Sequence, residues 1–222
     1  ITRPELFRKF YLGRHQIIGY NKNTSIKQSH HIIGYMSYFM NIVRVPRAGK
    51  AFELLEGMKA ALAATGRPGG ITVPVSGANL NNPRPGLISL AGGFNTLDDV
   101  DSFLDGYLSN VEAQSSQMAL EELCDKNTYI ISEMLAGAEP PDGYEPTVIS
   151  RLAMIAKPGK TPELIRALLE VREKVGGDAK NAISRPIAGP IGSVRVTTLG
   201  TSLQDLENQR GETVKHVGKI PE

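Results

Sequence analysis

Three segments of the chain occur twice, in the same order. Gly49-Lys50-Ala51-Phe52-Glu53-Leu54-Leu55 returns 110 residues later as Gly159-Lys160-Thr161-Pro162-Glu163-Leu164-Ile165. Ile71-Thr72-Val73-Pro74-Val75-Ser76-Gly77 returns after 112 as Ile183-Ser184-Arg185-Pro186-Ile187-Ala188-Gly189, and Thr96-Leu97-Asp98-Asp99-Val100 returns after 106 as Ser202-Leu203-Gln204-Asp205-Leu206. An offset that drifts by only a few residues over three matches points to a duplicated module. Whatever one copy builds, the other is expected to build again, and 222 residues hold two such copies with little to spare.

Each copy can be parsed by its apolar period. Tyr38 to Val45 and Val148 to Ile155 are rich in apolar and β-branched residues and close on Pro46-Arg47-Ala48-Gly49 and Lys157-Pro158-Gly159, as a strand runs into a turn. Phe52, Leu55, Met58 and Leu62 follow in one copy and Leu164, Leu168, Val171 and Val175 in the other, at the spacings of an amphipathic helix. Short strands are expected at 71–75 and 183–187, and again at 87–91 and 193–198. Second helices start at the N-cap residues Thr96 and Ser202, with Asp99 and Asp205 three residues on, near the positive helix end. In the first copy a polar helical stretch then runs to about Leu123, followed by a strand over 128–135.

The order βαββαβ is the ferredoxin-like unit, whose sheet runs 4-1-3-2. That order puts the second strand at a sheet edge, where Pro74 and Pro186 would cost no ladder hydrogen bond. The second copy lacks a convincing fourth strand, because only Glu207 to Glu222 follow Leu206 and they contain Gly211, Gly218 and Pro221. Something must cover the edge so exposed. The chain therefore divides into a basic N-terminal extension (1–34), a first module (35–137) and a second module (147–222) that is short at its C-terminus.

The extension is one candidate for that cover. His15-Gln16-Ile17-Ile18-Gly19-Tyr20 nearly repeats as His30-His31-Ile32-Ile33-Gly34-Tyr35, and two such apolar runs would make a hairpin; a mobile arm and a non-native leader are the other readings. Residues 1–48 hold eight basic side chains against Glu5 alone, so they carry +7 while the rest carries −5. A signal peptide is not expected, since the apolar stretch from Ile32 to Val43 is interrupted by Gly34, Ser37 and Asn41 and runs into Arg44 and Arg47 without a small-residue cleavage site. It is also too short to span a bilayer. A net charge of +2 supplies no field of one sign to grip nucleic acid or an anionic membrane. One cysteine cannot form an internal disulfide, which fits a reducing cytoplasm, and four histidines show no zinc-ligand spacing, so neither metal nor cofactor is expected.

Two ferredoxin-like modules in tandem, with Pro46-Arg47-Ala48-Gly49-Lys50 and Pro158-Gly159-Lys160 closing the first strands and Glu53-Leu54 and Glu163-Leu164 in the helices that follow, resemble the dimeric α+β barrel superfamily. The NIPSNAP-like and antibiotic-biosynthesis-monooxygenase-like groups are the most similar, over roughly residues 36–210. The resemblance implies an α+β fold in which two open sheets pack face to face as a barrel around a cavity for a small organic molecule. For an enzyme it implies cofactor-independent oxygenation, or isomerisation or cyclisation, of a small metabolite. A non-catalytic binding or assembly protein stands beside that reading. The unfilled edge and the apolar extension point to a homodimer.

Candidate site residues follow from strand positions. Arg151, Arg185 and Arg195 fall on the first, second and third strands of the second module, which are neighbours in a 4-1-3-2 sheet. On one face they would form a cationic cluster suited to a carboxylate, phosphate or enolate; leaning from the sheet margin they would only meet water or an acid. Tyr129 and Glu133, at i and i+4 on a strand, share a face and either reach the cavity or sit packed at its rim. His30 and His31 face opposite ways on a strand and do not suit one metal; a solvated role stands beside general-base work. Cys124, with only Lys126 as a basic neighbour, reads as a structural thiol. Thr65-Gly66-Arg67-Pro68-Gly69-Gly70 and Ala91-Gly92-Gly93-Phe94 lack the order and spacing of a phosphate loop and read as turns.

Overall fold

The computed structural model describes residues 7–19, 37–66, 69–76, 86–175, 180–188 and 191–217. The strands are β1 (Phe7–Gly19), β2 (Tyr38–Pro46), β3 (Gly69–Ser76), β4 (Leu87–Phe94), β5 (Cys124–Ala136), β6 (Val148–Ala156), β7 (Ala182–Ala188) and β8 (Ser193–Gly200). The helices are α1 (Ala51–Ala64), α2 (Leu97–Ser109), α3 (Val111–Glu122), α4 (Thr161–Val175) and α5 (Leu203–Val217). The fold is mixed α+β. Its strands form one antiparallel sheet closed on itself in the order β1-β3-β4-β2-β5-β7-β8-β6.

The expectation of two open sheets packed face to face is thereby corrected to a continuous ring. Two strands of 13 residues make the closure. β5 pairs with β2 on one side and β7 on the other, and β1 pairs with β3 and β6. β5 meets β2 through Cys124–Glu133 and β7 through Ile131–Ala136, and β1 meets β6 through Phe7–Gln16 and β3 through Arg14–Gly19, so each long strand passes from one half of the ring to the other. The first strand of the chain thus occupies the place beside β6 that the short C-terminus leaves vacant. Among the described residues every strand has a neighbour on each side for at least part of its length, so an open edge beside β6 no longer argues for a homodimer. The second apolar run, 30–35, lies outside the described residues.

The two prolines are not at an edge either. Pro74 faces His15 across the β1–β3 seam and Pro186 faces Ser132 across the β5–β7 seam, each beside a register shift. Pairing with the hairpin partner has already ended, at Thr72 for β3 and at Ser184 for β7. At that point each strand has one neighbour only, at a bulge, and a residue without an N–H is tolerated there.

Helices cover the outside of the ring. Met40 and Ile42 pack with Phe94 and Val100 under α2, and Ile71 packs with Leu54, Met58 and Leu62 of α1 and Leu120 of α3. Met154, Ile183 and Val194 do the same with Leu164 of α4. Leu54, Ile71, Leu164 and Val194 are wholly buried, each contributing roughly 1.5–3 kcal/mol by removal from water. Because strand side chains alternate, these contacts fix the other parity as the barrel interior. No helix among the described residues is long and apolar enough to cross a membrane.

Candidate functional site

On β6, Leu152 and Met154 pack outward against the α4 layer, as do Val194 and Val196 on β8. Arg151 and Arg195, at the alternate positions, therefore enter the barrel. Register makes them diagonal neighbours: Arg151 lies opposite Thr197, and Arg195 opposite Ala153. The residues on their far sides are also small, Gly13 for Arg151 and Ser184 for Arg195. Small neighbours leave room beside both guanidinium stems.

Among the described residues each guanidinium makes one hydrogen bond. Arg151 Nη1 donates to Thr72 Oγ1 at 2.9 Å, and Arg195 Nη1 donates to Asn41 Oδ1 at 2.8 Å while its guanidinium carbon sits 5.2 Å from the centre of the Phe39 ring. Nε of Arg195 is buried with no hydrogen-bond partner. Among the described residues neither arginine reaches a carboxylate. Burial, and after it the charge of Arg195, hold Arg151 well below the ordinary arginine range. Burial lowers Arg195 to about 10. Both lie deep in the protein yet keep part of their surface accessible, which is how side chains that line an internal space behave. Two desolvated like charges without an acid cost several kcal/mol each. They are what an incoming anion would neutralise.

Arg185 stands apart from this pair. It lies opposite Glu133 in the β5–β7 register, and its Nε donates to Glu133 Oε2 at 2.6 Å in a partly exposed ion pair. It directly follows Ser184, the inward neighbour of Arg195, and a step of one residue along a strand turns a side chain to the other face. Tyr129 and Glu133 do share a face, but it is the outer one: Tyr129 lies level with Ile42, donates to Glu121 Oε1 on α3 at 3.1 Å, and accepts from Asn127 Nδ2 at 3.1 Å. Burial pushes its phenol up. The Cys124 thiol donates to the Leu120 carbonyl and is likewise raised by burial, so it stays protonated. His30 and His31 lie outside the described residues. Among those described, no three His, Cys, Asp or Glu side chains come together as a metal site.

Three participants were not singled out from sequence. Phe39 and Thr72 give no signal of their own. Asn41 does, as a polar residue inside the apolar run of β2. Arg44 is a further buried arginine, on the outer face beneath α3, where Nη2 donates to Gln117 Oε1 and Nε has no partner. An arginine between Val43 and Val45 was its only sequence mark.

Solved structures share this architecture. An anthrone oxidase-like protein matches with a TM-score of 0.56 at 13% identity, over 91% of this chain and 86% of that one. The fold is the α+β barrel. A "putative monooxygenase" from Fusobacterium nucleatum subsp. nucleatum matches the barrel with a TM-score of 0.55 at 9% identity, over 83% of this chain and 86% of that one. Another of that name, from Lactobacillus acidophilus, matches at 0.50 and 10%, over 83% and 89%. No protein-family description and no curated protein matches the chain in sequence. At such identities the likeness carries the fold alone, and the chemistry must be argued from the barrel's own side chains.

Proposed function

We propose that the α+β barrel binds a small organic anion in its interior, held between Arg151 and Arg195. The observation that carries this is two buried guanidinium groups that, among the described residues, have one neutral hydrogen-bond acceptor each and no carboxylate. Thr72 and Asn41 orient the forks without neutralising them, so the charge is kept for something that enters. A carboxylate or an enolate matches the planar donors. If the protein is an enzyme, the same pair would stabilise the enolate or phenolate that cofactor-independent oxygenation, isomerisation or cyclisation passes through. The names of the structural neighbours favour oxygenation within that set. The alternative, a binding protein without turnover, uses the same site and is distinguished by whether a bound ligand is consumed.

Titration calorimetry with 1-naphthoate and with the uncharged 1-naphthamide tests the reading. Naphthoate is expected to bind at least tenfold tighter, and Arg151→Gln/Arg195→Gln to remove the difference. Equal affinities for acid and amide in the unaltered protein would end it.

The duplicated-module reading draws support from the ring order, β5-β2-β4-β3 followed by β1-β6-β8-β7, and from the matching left-handed turn glycines Gly49 and Gly159. Self-association draws support instead from exposed apolar side chains, Leu108 on α2 and Val111 and Met118 on α3. Light scattering that returned the mass of one chain at micromolar concentration would exclude it.

A further inference from the structure

Resting on that reading, we infer that the ligand is a dianion with its two acidic groups at opposite ends of an apolar body, one group to each guanidinium. The argument begins with charge. The inward positions named above and their neighbours are Phe39, Asn41, Thr72, Arg151, Arg195 and Thr197, with two formal positive charges and no acid. A monoanion would leave one desolvated guanidinium uncompensated, whereas a dianion neutralises both.

Geometry separates the two groups. Thr72 lies level with Ile88 on β4, and Ile88 with Val43 on β2. Asn41 is two residues further along β2. The anchors of the two guanidiniums are thus two strand spacings and two residues apart, on the order of 11 Å. Each Nη1 is tied to its anchor by a bond under 3 Å long, so the two forks are held toward different points. A single compact group such as phosphate is shorter than the span between the anchors. Between the anchors, Val43 and Ile88 follow the inward parity of Asn41 and Thr72 by register, so the span is apolar. The free donors include the buried Nε of Arg195, which has no protein partner to give up when a ligand arrives.

Calorimetry with benzoate, terephthalate and inorganic phosphate tests the inference, on the unaltered protein and on Arg151→Gln and Arg195→Gln, with thermal melts confirming that each variant is folded. Terephthalate is expected to bind at least tenfold tighter than benzoate, each single substitution to erase that advantage while benzoate binding persists, and phosphate to bind no better than benzoate. Benzoate or phosphate matching terephthalate, with binding still dependent on the arginines, would overturn the two-ended dianion and leave the anion site standing. Binding of terephthalate and benzoate that ignores both arginines would overturn the two together.

Discussion

Arg151 and Arg172 are both arginines removed from solvent, and opposite outcomes are expected when each is replaced. Arg172 is saturated: it donates to the carbonyls of Asn181 and Gly137 and to Glu139 and Glu173. Arg172→Met would strand two backbone carbonyls and release a loop crossing, costing about 3 kcal/mol in urea unfolding. Arg151→Met removes a desolvated charge that has no acid, so the unliganded protein should gain about 1–3 kcal/mol. A loss of stability in Arg151→Met would mean that the barrel interior already supplies the counter-charge. The pair was legible because the strands expected over 148–155 and 193–198 are neighbours in the expected sheet order, and β6 and β8 do pair. Arg185 was not separable from it, since the in-or-out label of a strand residue depends on register, and bulges in the β5–β7 pairing set the register here. Tyr129 and Glu133 show the same limit: β5 is partly buried on both faces, so alternation says which residues go together and not which side they take.

Elements were easier to read, because their ends are written in local chemistry. Thr96 caps α2 through the Asp99 amide while the Asp99 carboxylate accepts from the Thr96 amide, a closed capping box. Thr96→Ala should cost about 1 kcal/mol in unfolding free energy. The matching start of α5 is more heavily built. Asp205 accepts from the Thr201 amide, from Tyr144 Oη and from Gln209 Nε2. Burial opposes ionisation of its carboxyl, but these donors outweigh it and leave Asp205 below its ordinary value, while Tyr144 is raised to about 12 by burial and by the carboxylate. For a carboxyl lowered in the folded state, the stabilisation is complete above about 4, its unfolded value, and fades as pH falls through the lower folded one. Urea midpoints should therefore drop below pH 4 in the parent and drop less in Asp205→Asn. An identical acid limb in both would remove Asp205 from the account. What the local signals did not give was the break at Asn110, which ends α2 and caps α3 with its own side chain, because no Gly or Pro stands at the break and the one glycine nearby, Gly106, lies inside α2.

The whole barrel depends on a strand that lies outside the repeat. The duplicated segments announced two sets of strands, but nothing in them said that residues 7–19 would complete the ring, since that run matches neither copy. Its pairing with β3 and β6 makes a plain test: removal of residues 1–19 leaves two long unpaired edges, and the product should self-associate and lose a single cooperative melt. A monomeric, cooperative truncate would show that the closure is dispensable. The same arrangement has a consequence in time. Phe7 pairs with Ala156, so β1 stays half-partnered until β6 has been made, and closing so long a loop is slow. The course of refolding, more than stability, should respond to chain order. A permutant that begins at residue 37 and carries residues 7–19 on a short linker after residue 217 brings β1 much closer along the chain to β6. It should reach the same melting temperature, and because the same move takes β1 further along the chain from β3, pulsed hydrogen exchange during refolding should show the β1–β6 seam protected before the β1–β3 seam, the reverse of the parent order.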